Sequence, residues 1–266
     1  MSSLVLDTPK SGRVTEEQVL AIPTPDPTNT YQPVAYGDFV HLIGEVAGMY
    51  GLQLGEKTYG IDKEGKRLFG TAELVNQNIL DNRAAFMLGF RTSHDKTLSA
   101  GVCFGAKVFV CSNLCFSGYA DEENGIVGNV RHRHNKSISW GLFDRIKLAM
   151  ECFGEYRDYQ NNFYSQLEET PLTQDQAYST IVKAVKANAI PNAQVVHVAN
   201  QWDKQPEYPT GINETLQWES FRHRNAFSLL NAFTEVHKED QEGTPIMANN
   251  RSIGLSNFFD AEFIVH

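Results

Sequence analysis

Two short stretches of this 266-residue chain gather side chains that could do chemistry. Thr92-Ser93-His94-Asp95-Lys96-Thr97 sets an imidazole beside a carboxylate. Such a pair can move protons near neutral pH when the acid orients the ring. Neighbours in a tight turn point in different directions, however, and Asp and Ser also bond their own turn backbone. Arg131-His132-Arg133-His134-Asn135-Lys136-Ser137 concentrates basic groups. Ser137 is a good helix N-cap, which would set the run at a helix N-terminus. Backbone amides and the helix dipole favour an anion there, and phosphate is the natural candidate. The alternative is a solvated basic loop balancing Asp121-Glu122-Glu123. His94, Asp95, His132 and His134 are thus the candidate catalytic residues.

Other chemistry fits less well. Cys111 and Cys115 with His132 and His134 have a superficial zinc look. Structural zinc normally uses two clear ligand pairs, and His-x-His is a poor second one. The cysteines also suit small, buried strand positions. A cysteine nucleophile would need an adjacent base and an electropositive niche. Asn124–Val130 carries glycines but lacks the Gly-Lys-Ser/Thr ending of a phosphate loop. No metal site and no cofactor is expected.

The elements that must position these residues are legible in part. Residues 83–91 and 98–110 alternate with period 2, so each parity lines one face of a sheet. Phe86, Leu88, Phe90, Val102 and Phe104 mark the even face as core. The odd face is small and carries Arg83, Arg91 and Lys107, so a ligand is sought there. Strands are expected at about 52–60, 67–75, 83–91 and 98–111. Asp62 to Gly65 has hairpin-turn chemistry. A helix is expected over 36–50 with Gly51 at its C-terminus. A longer one runs from Ser137 to about 169, with Gly154 as an interruption. Thr173 and Gln176 form a capping box for a helix to about 188. Asn213 caps a last helix over about 214–237, with Arg222-His223-Arg224 on its solvated face. Residues 189–212 and 244–266 read as irregular, apart from an apolar segment from Phe258 to Val265. Five prolines in residues 1–34 predict an extended N-terminal arm.

Composition bounds the function. Hydrophobic residues make up 41% and charged residues 21%, which suits a globular core and not a disordered chain. No stretch is apolar enough for a bilayer span, and the first residues lack a secretory pattern. Four cysteines do not make a disulfide scaffold. A cytoplasmic location is expected, with no membrane partner. The net charge is −9, which argues against a dedicated duplex-DNA binder. From Arg83 to Lys147, nine Lys/Arg stand against five acids, so that window is +4 and the rest of the chain −13.

Several segments resemble one family. Phe90–Ala100 resembles its "xNSHDGSxA" turn, and Val108-Phe109-Val110-Cys111-Ser112-Asn113 its "RxVCSN" strand end. Arg131-His132 with Arg133-His134-Asn135 resembles its "RHT" element before a long helix. Asn225-Ala226-Phe227 and Asn231–Glu235 resemble its "NAxTEY" helix. The family is the phage/plasmid-like proteins grouped as domain of unknown function 932. The chain departs from the pattern at Thr92, where the family has Asn, and at Lys96, where it has Gly. The resemblance implies a mobile-element context.

The expectation is an α+β protein, with an antiparallel sheet, long helices on one face, an arm over 1–34 and a single domain over 35–266. By fold-level analogy with phage single-strand annealing proteins, it is expected to bind single-stranded nucleic acid as a homo-oligomer. Arg83, Arg91, Lys107, Arg131, Arg133 and Lys136 would line the groove. One alternative is an enzyme on a nucleotide or phosphate-bearing substrate, using His94, Asp95, His132 and His134. Another is an interaction protein that blocks a host defence factor through its acidic surface.

Overall fold

The period-2 segments pair as a meander in the computed structural model of the chain. The structure describes residues 11–62, 64–79, 84–108, 113–116, 119–121, 125–127, 129–204, 224–239 and 245–264. Strand β1 (Ser11–Val14) leads into a short helix α1 (Glu16–Leu20), and α2 (Tyr36–Met49) follows. Strands β2 (Leu54–Asp62), β3 (Arg67–Ile79), β4 (Ala84–Ser93), β5 (Ala100–Val108) and β6 (Asn113–Phe116) come next. They pair antiparallel in sequence order, with β1 on the outer edge of β2. β7 (Tyr119–Asp121) and β8 (Gly125–Val127) make a separate hairpin. β9 (Asn129–His132) returns to the main sheet beside β5. β6 and β9 share one edge of β5, β6 along Gly105–Val108 and β9 along Ala100–Cys103.

The helical half comprises α3 (Ile138–Glu151), α4 (Phe153–Glu169), α5 (Gln174–Lys186), α6 (Val195–Lys204), α7 (Ala226–Glu239) and α8 (Pro245–Phe263). The α+β class and the antiparallel core therefore hold. Gly51 (φ +69°) follows α2, and Gly65 (φ +70°) closes the β2–β3 turn with its N–H on the Asp62 carbonyl at 2.9 Å. Both need the left-handed region that glycine enters freely. The Thr173–Gln176 capping box opens α5 as expected.

The even face of β4 and β5 is core. Phe86, Leu88, Phe90, Val102 and Phe104 are buried. Phe153 and Tyr156 of α4 pack on Phe86 and Phe104 with ring centroids 4.9–5.9 Å apart. Phe39 of α2 meets Phe90 edge-on at 6.2 Å. Each such side chain contributes roughly 1.5–3 kcal/mol by leaving water. One buried cluster runs from Val19 in α1 through the sheet to Phe259 in α8.

Several expectations need correction. Residues 11–34 are not an extended arm throughout. β1 pairs with β2, a Thr15–Gln18 capping box opens α1, and Val19 is fully buried. All five prolines lie after that helix or before the described residues, and so do not break it. β4 runs on through Thr92 and Ser93, so the turn begins only at His94. The β5 strand ends at Val108 among the described residues. Glycine punctuation at 118–130 contains β7, β8 and β9, because glycine is tolerated in short hairpin strands. The long helix divides at Cys152, two residues before Gly154. Ser137 does not cap with its own side chain. Its N–H and hydroxyl donate to Asn135 Oδ1 at 3.0 and 2.7 Å. The segments read as irregular hold α6 and α8, whose apolar residues pack on other helices and so escape a short-window reading.

The last part of the chain differs as well. Asn213, Arg222 and His223 lie outside the described residues. α7 begins at Ala226, where Asn225 Oδ1 accepts from Ser228 N–H at 2.9 Å. Arg224 precedes that helix. It lies over the Trp202 ring at 5.6 Å and donates to Gln174.

Candidate functional site

Three segments converge at the end of the sheet where β4 meets β5. They are the β4–β5 turn (94–99), the β9–α3 junction (133–137) and residues 30–35 ahead of α2. Local hydrogen bonds hold each in place. Ser93 Oγ donates to the Leu98 carbonyl and accepts the Leu98 N–H, at 3.2 and 3.0 Å. Asp95 Oδ1 accepts from the Thr97 N–H at 2.9 Å and from its hydroxyl. Between them Lys96 takes φ +66°, a left-handed conformation unusual for a residue with a side chain. The Gln32 N–H donates to the His134 carbonyl at 3.2 Å, and Tyr31 OH to the Ser93 carbonyl at 3.3 Å.

His94 and Asp95 are both occupied locally. His94 stacks on Tyr36 at 3.9 Å and donates its Nε2–H to the Val34 carbonyl at 3.0 Å. Burial lowers its pKa, and the Val34 bond opposes that. Asp95 turns the other way, onto Thr97 and the Arg67 Nε at 3.0 Å. Burial alone would raise its carboxyl. The bonds from Thr97, Ser93 and Arg67 outweigh burial and hold it below its ordinary value. The adjacent pair does not form an acid–base dyad, and the turn-bonding reading is the one the geometry supports.

His132 donates its Nδ1–H to the Arg133 carbonyl at 2.8 Å, and its ring lies against α3. A Cβ on Gly141 would come within 2.2 Å of the His132 Nε2, so glycine is what lets helix and ring approach. His134 is 8% exposed, with Nε2 3.2 Å from the Thr92 hydroxyl. Its Nδ1 is buried with no hydrogen-bond partner among the described residues. Burial pushes its pKa down, and the neighbouring His94 and His132 push the same way. The Gln32 and Leu98 backbone opposes them.

The cations differ in kind. Arg131, Arg133, Lys136 and Lys96 are exposed, and none makes an ion pair among the described residues. Arg91 is half-buried beside Arg131, and its Nη1 is enclosed without a hydrogen-bond partner among the described residues. Arg91, Gly101 and Arg131 stand in one row across β4, β5 and β9. Arg83 lies outside the described residues, as does the side chain of Lys107, whose backbone pairs with Ala85 and Leu114. The odd face is not the open surface the alternation suggests. Phe69, Ala85, Met87 and Cys103 on it are all buried. Small residues there permit close cover instead of leaving room for a ligand.

A cleft of about 330 Å³ opens between the three segments. Tyr31, Lys96, Thr97, Ser99, Arg133, His134 and Asn135 line it. The Lys96 ammonium rests over the Tyr31 ring, 4.8 Å from its centroid. Trp140, in the first turn of α3, is 66% exposed. Sequence reasoning overlooked Tyr31, because it sits in a proline-rich stretch. Trp140 was findable, since it falls off the Ile138–Leu142–Ile146 stripe that buries α3.

A family model described as "Domain of unknown function (DUF932)" matches residues 27–254, well over half of the chain. The chain belongs to this family. The match takes in all three segments that form the cleft, and it begins just before Tyr31. No curated protein and no solved structure matches the chain. Among the described residues no helix is long and apolar enough to cross a membrane, and no group of three His, Cys, Asp or Glu side chains is placed to hold a metal ion. Cys111 lies outside the described residues.

Proposed function

We propose that the protein binds the phosphate backbone of single-stranded nucleic acid at the β9–α3 junction. The observation that supports this reading is one of pairing. Arg131, Arg133, Lys136 and Lys96 are exposed cations without ion-pair partners among the described residues, and Lys96 lies over the buried Tyr31 ring. Unpaired cations recruit phosphates by releasing condensed counterions. Exposed aromatic rings favour unpaired bases, whose faces are free to stack. Trp140 supplies such a ring in the first turn of α3. Arg91, half-buried beside Arg131, adds to the local positive field.

The same reading extends to annealing or recombination of single strands by a homo-oligomer, in the cytoplasm of a host that carries a phage or plasmid. An enzymatic role draws no support from His94 and Asp95, because both spend their hydrogen bonds on the turn and on Val34. The test is fluorescence anisotropy with a labelled oligothymidine at rising salt. Log affinity is expected to fall linearly with log salt, by about 0.7 per phosphate contacted. Binding that is absent, or indifferent to salt, overturns the proposal.

A further inference from the structure

We infer that the cleft between Tyr31, Lys96 and Arg133 is a discrete subsite for one phosphate of the bound strand, with Lys96 as its movable jaw. The inference deepens the nucleic-acid reading and rests on it. Its starting point is a backbone oddity. Lys96 holds φ +66°, where glycine would sit without strain. A residue with a side chain in such a conformation is worth a functional hypothesis when it also borders a cavity. Here the side chain reaches over the Tyr31 ring and borders the cleft.

The lining suits an oxyanion. Arg133 faces the cleft from the β9–α3 junction, and Lys96 from the opposite turn. A guanidinium and an ammonium on two sides can share one phosphate. Ser99 and Asn135 add neutral donors. Asn135 spends its Oδ1 on Ser137, which leaves its amide N–H groups for a ligand. Asp95, next in sequence to Lys96, is turned onto Thr97 and paired with Arg67 at 3.0 Å, which reduces its repulsion of an anion. His134 lies against the cleft with a buried Nδ1 that has no partner among the described residues. Lys96 can swing from the Tyr31 ring to a phosphate, while Tyr31 itself stays buried against His134. The cleft volume is at the small end for ligand sites, which fits one nucleotide unit and not a duplex.

Two substitutions test this without straining the fold. Lys96→Gly and Lys96→Asn both remove the ammonium and both tolerate positive φ. The probe is the labelled oligothymidine, read for affinity and salt slope, beside a thermal melt of each full-length variant. The expected result is an affinity loss of about tenfold, a salt slope shallower by roughly one phosphate, and a melting temperature equal to or above that of the parent. Parental affinity and slope in both variants would overturn the subsite and leave the nucleic-acid reading standing. A lower melting temperature with unchanged binding would assign Lys96 a purely structural contact, and so also overturn it. Salt-insensitive binding by the parent protein would remove both readings together.

Discussion

The β4–β5 turn and the β9–α3 junction look alike in composition but differ in how their polar groups are spent. In the turn, Asp95 binds Thr97 and Arg67, Ser93 binds Leu98, and His94 is pinned between Tyr36 and Val34. In the junction, His132 and Asn135 make the local bonds, while Arg131, Arg133 and Lys136 stay exposed and unpaired among the described residues. A polar group already satisfied within the fold stabilises it. One left unsatisfied at the surface is available to a ligand. The turn is therefore a brace, and the junction carries the binding. Lys96 is the exception, a turn residue whose side chain reaches the cleft.

The sharpest way to break this contrast is to strip the junction. Changing Arg131, Arg133 and Lys136 together to Ala is expected to weaken oligonucleotide binding about 100-fold or more at low salt and to flatten the salt slope by about 2. Stability should stay within about 1 kcal/mol in denaturant melts, since exposed residues away from caps and cores contribute little. A variant that unfolds, or that binds like the parent, would show the two regions to be misassigned.

The converse substitution belongs to the turn. Asp95→Ala removes two Thr97 bonds and the Arg67 pair, and is expected to cost about 2 kcal/mol in urea unfolding with little change in affinity. If affinity fell while stability held, the turn would be a binding element after all. Trp140→Ala comes next. It is expected to lower affinity for single strands by about 1–2 kcal/mol with the salt slope unchanged, because stacking does not displace counterions. An equal loss for duplex and single strand in a competition assay would contradict the stacking role.

The smallest expected effect is on pH dependence. His134, which is buried, and His94, which is partly buried, both titrate below their ordinary value of about 6.5 because burial disfavours the charged ring. Between the folded and unfolded pKa values the unfolded chain binds more protons, so stability falls as pH drops below about 6.5. The melting temperature should decline from pH 7.5 to 5.5, and less so in His134→Gln. A further loss below about pH 4 is expected as Asp95, held low in the fold, gains its proton. A flat melting temperature across that range would mean that neither ring is buried in its neutral form.

Much of the sheet could be read from alternation alone. Phe86, Leu88 and Phe90 could only share one face, and that face had to be core. The family likeness and the turn chemistry of Asp95 were legible too, because both reside in contiguous residues. What escaped reading was anything that depended on cover. The odd face of β4 and β5 carries small residues and cations, and alternation cannot say whether such a face is open or closed. Helices α6 and α8 escaped for the same reason, since their place in the core depends on partners distant in sequence.

The sequence by itself determined the class of fold, the strand faces and the presence of a basic run ahead of a helix. These follow from local periodicity and composition, which act over a few residues. Only the tertiary structure decided which polar groups are spent and which are free. Tyr31, Lys96 and Arg133 are separated by many residues. The pairing of β4, β5 and β9 brings Lys96 and Arg133 together, and the Tyr31–Ser93 and Gln32–His134 hydrogen bonds bring Tyr31 to the same cleft. Whether His94 is a base or a brace depends on Tyr36 and Val34 reaching it from across the fold, a contact that no local pattern encodes.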